Sequence, residues 1–344
     1  MLLLTAALVI AQVAPDVPNQ QPWLAVSGKQ VALAFGSGGN LYAATSSDEG
    51  RTFGSPVRLP SGLKPALGRH RGPRIAIAGK TLVVSAIMGS GVRGQDGDLV
   101  AWRSSDGGKT WSEPARINDV PSAAREGLHT MTAHGDRLFA AWLDLRSEGT
   151  RVYGASSKDG GVTWSKNVLV YESPDGTVCQ CCHPTVTADA SGNLYVMFRN
   201  ALAGNRDMYV ARSSDGGKTF KPAAKLGSGT WTLNACPMDG GALAVHNGRI
   251  VSVFRRDKEI IVAGVDKNET VAGTGRDPVL AVTKRGEYVA WTAPAGIQLL
   301  EPGAVSPRMA GPGGQYVHLT AMPGGGVIGA WEHEKSIVVQ RLGE

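Results

Sequence analysis

Long apolar runs are missing from this sequence. The longest, from Leu2 to Ala11, is broken at Thr5 and is too short to span a bilayer. Charge is also sparse, at 19% of residues, and the net charge of +6 is spread along the chain without a run of Lys or Arg. That distribution describes a solvated surface, excludes a nucleic-acid groove and leaves a mild attraction for anionic ligands. Cysteine is rare, with four in 344 residues. What is abundant is glycine, at 46, with 19 prolines and 42% hydrophobic residues. This mix suits many short strands joined by turns and argues against disorder or a helical bundle.

The N-terminal segment "MLLLTAALVIAQVAP" has an apolar stretch and small residues at Val9 and Ala11. It reads as a secretory signal over residues 1–11, with cleavage before Gln12. The mature chain, 12–344, is then expected to be a single domain with no transmembrane span, secreted or periplasmic, in a compartment that permits disulfides.

Seven short apolar runs set a period. They are "VALAF" (31–35), "LVVSA" (82–86), "LFAAW" (138–142), "LYVMF" (194–198), "IVSVF" (250–254), "YVAW" (288–291) and "VIGAW" (327–331). Their starts lie 51, 56, 56, 56, 38 and 39 residues apart. Each suits a buried strand, and most are preceded and followed by a further strand. Antiparallel repeats of this length imply an all-β chain folded as a β-propeller of four-stranded blades. Seven blades are counted; six with a degenerate pair is the alternative.

A turn of eight residues recurs four times: "SSDEGRTF" (46–53), "SSDGGKTW" (104–111), "SKDGGVTW" (157–164) and "SSDGGKTF" (213–220). Its Asp can accept backbone N–H bonds, its Gly supplies positive φ, and its closing Trp or Phe is expected to anchor the turn on its own blade. These copies resemble the Asp boxes, or bacterial neuraminidase repeats, of the sialidase superfamily. That resemblance implies a propeller scaffold in which the boxes are structural.

Strand direction locates a candidate site. Starts of first strands and ends of second strands gather around the axis on one face, and the boxes, after third strands, are expected on the other. The starts hold Arg74, His129, His183, Cys236, Met238, Asp239, Arg276, Asp277 and Tyr316; the ends hold Asp144, Arg199, Arg255 and Glu332. The resemblance assigns roles among them. Sialidases clamp a substrate carboxylate with three arginines, because a planar guanidinium gives it paired, charge-assisted bonds. Arg74 in "GPRIAI", Arg199 in "HPTVTADASGNLYVMFRN" and Arg255 in "VSVFRRD" match those positions. Tyr316 matches the nucleophile, and Asp96 or Asp98 in the loop "GVRGQDGD" matches the acid/base. Where the family carries Glu before Pro, this chain has His183, expected to act as a base toward Tyr316.

All four cysteines fall on the same rim, Cys179, Cys181 and Cys182 before blade four and Cys236 before blade five. In an exported chain two disulfides are expected, one of them tying Cys236 to the cluster, and no cofactor is required. The alternative is a soft metal ion, copper or zinc, held by these thiolates with His183, His129 or Met238. Three functions follow: a sialidase-like glycoside hydrolase acting on acidic glycans, a propeller that binds a glycan or protein without turnover, and a metal or redox propeller.

Overall fold

The computed structural model describes residues 8–10, 16–91, 96–265 and 268–343, and every regular element among them is a β-strand. No helix there is long and apolar enough to cross a membrane. The strands form seven antiparallel sheets arranged as a propeller. Blade one begins at Asn19–Ser27, blade two at Arg74–Ala78, blade three at His129–His134 and blade four at Thr185–Ala188. Blades five, six and seven begin at Ala242–His246, Arg276–Thr283 and Gln315–Ala321. Each of these first strands contacts that of the next blade, and blade seven contacts blade one, so the ring is closed. A short extra strand, Lys64–Pro65, joins blade two.

The expected leader, residues 1–11, lies largely outside the described residues. Within it, Leu8–Ile10 pairs with Ser336–Leu342 as the fourth strand of blade seven.

The seven apolar runs are the second strands, buried on both faces between neighbouring blades. Leu194–Arg199 of blade four is buried at every position. The blades pack through mixed clusters: Ala32, Ala34 and Leu41 of blade one meet Leu82, Val84 and Trp102 of blade two. Buried tryptophans need a partner for the indole N–H. Trp102 donates to the Pro60 carbonyl at 2.7 Å, Trp142 to Asp144 at 2.7 Å and Trp291 to the Thr274 carbonyl at 2.9 Å.

The repeated turn closes the third strand of blades one to four. In the blade-two copy the buried Ser104 hydroxyl accepts the Gly108 N–H at 2.8 Å and donates to Asp106 at 2.8 Å. The Asp106 carboxylate also accepts the Thr110 N–H and hydroxyl at 3.0 and 2.6 Å. Thr110 and Ser104 together hold the Asp106 carboxyl well below the usual carboxylate range. The same bonds recur around Asp48, Asp159 and Asp215.

The anchoring residue packs on its own blade as expected, and each box also reaches across to the preceding blade. Phe220 of blade four packs 5.7 Å from Phe139 of blade three, ring centre to ring centre. Thr45 of blade one donates to the Gly107 carbonyl of blade two at 3.1 Å, and Arg103 of blade two donates to Gly160 of blade three at 2.8 Å. Gly108 has φ +91, and a Cβ there would come within 2.9 Å of Thr45. The turn recurs because it couples neighbouring blades. In blades five and six, which lack it, the outer strand runs to six and five residues, against two to four in the blades that carry it, while blade seven, also without it, has three.

Ser104→Ala is therefore expected to lower stability by about 1–3 kcal/mol, because it leaves the buried Gly108 N–H without an acceptor. Urea denaturation of the variant against wild type checks this; an unchanged midpoint would remove the coupling role.

Candidate functional site

Backbone distortion shapes the rim. The first strands of blades one, six and seven each carry a bulge, between Gln20 and Trp23, Arg276 and Val279, and Gln315 and His318. Inside each bulge one non-glycine residue takes positive φ: Gln21 at 54°, Asp277 at 55° and Tyr316 at 51°. His70, before blade two, and Met238, before blade five, do the same at 59° and 57°. L-residues avoid this region by roughly 1–2 kcal/mol, and bulges concentrate next to sites because they re-aim a side chain. Here Gln21, His70, Asp277 and Tyr316 line one central cavity of about 170 Å³, together with Arg74 and His183.

The contacts within it are specific. His70 Nε2 lies 2.8 Å from Asp277 Oδ1. The His70 ring meets the Tyr316 ring edge-on at 5.8 Å and lies 4.4 Å from the His183 ring. Arg69 donates from Nε to the Tyr316 hydroxyl at 3.4 Å. Burial opposes the Asp277 carboxylate, yet His70, Arg276 and Arg69 hold its pKa below the ordinary value. Asp277 also borders a second cleft of about 500 Å³, lined by Arg69, Arg255, Lys258, Arg276 and Gln315. A position beside Tyr316 thus faces a predominantly cationic wall, suited to an anion.

The arginines matched from the sequence are placed differently from one another. Arg74 is fully buried, donates to the carbonyls of His70, Gly72 and Pro73 at 2.9, 3.2 and 3.0 Å, and lies 4.2 Å over the Trp23 ring. Burial pushes its guanidinium down to about 9. Arg199 is 1% exposed and donates to three carbonyls, those of Asp239, Arg206 and Arg255. Arg255 reaches the cleft, with its Nε on Asp239 Oδ2 at 2.9 Å. The other two Arg255 nitrogens donate to the carbonyls of Asp257 and Pro237 at 2.6 and 2.8 Å, so all three guanidiniums hold the backbone of the rim together.

The two candidate acids are similarly engaged. Asp96 is exposed and accepts the N–H groups of Ser90 and Gly91 at 3.1 and 3.0 Å, besides the Ser90 hydroxyl. These bonds, led by the hydroxyl, pull it down to about 2, so at neutral pH it carries no proton to donate. Asp98 accepts from Asn118 at 2.7 Å and from the Ser122 N–H at 2.6 Å. By contrast, burial pushes Glu332 above its ordinary value, although Gln21 donates to it from N and Nε2 at 2.8 and 3.0 Å.

His183 faces the Gly241 carbonyl with Nε2 at 3.2 Å, which only an N–H can donate to. Its Nδ1 is buried without a partner. It reaches Tyr316 through His70, an intermediary that the sequence reading passed over. The segment "GRHRGPR" (68–74) was the available signal, with three basic residues around His70.

Of the two expected disulfides, one is formed: Cys181–Cys236, with Cα atoms 6.1 Å apart, ties the lead-ins of blades four and five. Cys179 and Cys182 are free thiols, buried and 3.3 Å apart. Burial raises Cys182, while its neighbouring S–H holds Cys179 below the ordinary thiol range.

Three histidines here resist protonation. Burial pushes His129 and His183 well below their ordinary value and His318 to about 3, with the Arg74 charge adding to each. The unfolded chain takes up these protons from about pH 6.5 downward, whereas the folded chain does not. Stability is thus fully present above that pH and lost as pH falls toward 3. His318 Nδ1 accepts the Leu24 N–H at 3.2 Å. His318→Asn, which keeps an acceptor, is expected to flatten the stability slope between pH 6.5 and 4 by up to about 1.4 kcal/mol per pH unit. Urea titrations across that range test it, and an unchanged slope would contradict it.

Comparison with known proteins agrees with this architecture. No curated protein matches the chain. Among solved structures, the Penicillium chrysogenum alpha-L-arabinanase complexed with arabinobiose is 13% identical with TM-score 0.58, covering 97% of this chain and 97% of that one. The leech intramolecular trans-sialidase complexed with 2,7-anhydro-Neu5Ac is 11% identical with TM-score 0.58, covering 99% and 70%. The polysaccharide lyase Uly1 is 11% identical with TM-score 0.59, covering 96% and 90%. Identities this low establish a shared fold and leave chemistry to the site. The model of the BNR repeat-like domain matches residues 75–294, well over half of the sequence, and the chain belongs to that family.

Proposed function

We propose that this propeller is an exported glycoside hydrolase that acts on an acidic glycan of the sialic-acid type, with Tyr316 as its nucleophile. The observation that carries the reading is the setting of the Tyr316 hydroxyl, 3.4 Å from Arg69 Nε and edge-on to a His70 ring held by Asp277. The guanidinium donates to the phenolic oxygen, the atom that would attack. A phenolate suits an oxocarbenium-like centre that already bears a carboxylate, as in the Tyr exception to the two-carboxylate scheme. The substrate carboxylate would lie against Arg69 and Arg276 in the cleft, beside an Arg255 held by Asp239 and two backbone carbonyls. His70, between Asp277 and Tyr316, is the group placed to act as the acid/base. Several neighbours in the fold are named as glycan-cleaving enzymes, which supports the reaction class without assigning a substrate. The Cys181–Cys236 disulfide supports a secreted or periplasmic location.

A second reading, a propeller that binds an acidic glycan without turnover, draws on the backbone bonds of Arg74 and Arg199. Fluorogenic sialoside, glucuronide and arabinofuranoside substrates separate the two. Release of fluorophore from the sialoside, above the other two, is the expected result. Calorimetric binding of sialic acid with no turnover of any substrate would favour the binding module, and neither binding nor turnover would remove both.

A further inference from the structure

The reaction proposed at Tyr316 has no use for the sulfur cluster, and one disulfide already joins the two lead-ins. The sulfurs of Cys179, Cys181 and Cys182 nevertheless lie within 4.8 Å of one another, all buried. Cys179 Sγ is 3.3 Å from Cys182 Sγ and 3.6 Å from Cys181 Sγ, and the Met238 side chain packs against the group. Met238 holds positive φ at that position, so the backbone departs from its ordinary range where the thioether covers the thiols.

Thiolate and thioether donors select soft cations. Structural zinc takes four ligands in a tetrahedron, and the Cys181–Cys236 bond removes two of the four thiolates. Two thiolates suffice for a monovalent d10 ion. They would leave one net negative charge, next to the buried Arg199, whose carbonyl accepts the Cys179 N–H at 3.0 Å, and near Arg206. We propose that Cys179 and Cys182 bind one Cu(I) ion under the cover of Met238, with the Cys181–Cys236 disulfide intact. Binding exchanges two thiol protons for one Cu(I), and no electron is transferred, so affinity should fall as pH drops.

The test uses the full chain, without oxygen, after mass analysis of its disulfides. Titration with Cu(I) against bicinchoninate is expected to load one equivalent, and Cys182→Ser or Cys179→Ser should weaken binding by at least about a hundredfold. Because such a variant can fail to fold, X-ray absorption at the copper edge of the loaded wild type is the second measurement, with two sulfur neighbours expected. Any of four results would overturn the proposal: no stoichiometric Cu(I), nitrogen or oxygen neighbours only, zinc bound in preference, or a Cys179–Cys182 disulfide in the purified protein. None of these readouts depends on glycan hydrolysis, so the two proposals fail independently.

Discussion

Tyr316→Phe is expected to lower kcat on an aryl sialoside by about a thousandfold or more, while binding of the free acidic sugar changes little. The substitution removes one oxygen, the atom that would attack. It leaves the ring where it meets His70, and the Tyr316 N–H still reaches Thr292 Oγ1 at 3.3 Å. Arg69 loses its bond to the Tyr316 oxygen, but the cleft keeps the guanidiniums of Arg69 and Arg276 for the sugar carboxylate, with Arg255 beside them. Steady-state kinetics with calorimetry on the same preparation separates the two effects. Equal loss of binding and turnover would mean that Tyr316 orders the rim without reacting. Unchanged kcat would remove it from the chemistry.

The second large effect is expected from Asp239→Ala, on folding. Asp239 is 1% exposed and joins three parts of the rim. Its Oδ2 accepts Arg255 Nε at 2.9 Å and the Asp277 N–H at 3.0 Å, and its carbonyl accepts Arg199 Nε at 3.1 Å. Truncation leaves the Arg255 guanidinium without its carboxylate and a buried N–H without an acceptor. Breaking a buried pair from one side costs about 3–5 kcal/mol. Asp239→Asn keeps an acceptor for the Asp277 N–H and should lose less. Guanidinium denaturation of both variants gives the comparison, and a loss below about 0.5 kcal/mol for Asp239→Ala would contradict this account of how the rim is ordered.

The propeller was legible because its signals are local and repeated. An apolar run of four or five residues marks a strand buried on both faces, and seven of them at a regular period leave few alternatives. The Asp box was legible as a turn for the same reason, since Ser, Asp, Gly and Thr act within eight residues. Its docking on the preceding blade was not, because Phe220 meets Phe139 across a gap in sequence that no pattern spans.

The rim was legible as a region and much less so as a set of roles. Strand direction placed Asp277, Tyr316 and His183 together, and all three line one cavity. Motif matching assigned Arg74 and Arg199 to a substrate, whereas both guanidiniums donate to backbone carbonyls; burial decides that, and a motif does not report burial. The bulges at Gln21, Asp277 and Tyr316 were invisible, since none carries the glycine that usually marks positive φ. His70 was missed because it stands in a lead-in before blade two, where strand alternation gives no direction to its side chain.

The most direct test of the chemistry is covalent trapping. A 2,3-difluoro sialic acid would lose its C2 fluoride as the Tyr316 oxygen bonds to C2, and the remaining fluorine slows release of the sugar. Intact mass and peptide mapping of the incubated wild type should then show one sugar on the peptide containing Tyr316, and none on Tyr316→Phe. An unmodified Tyr316 in protein that turns over a sialoside, or a sugar found on a carboxylate, would contradict the account.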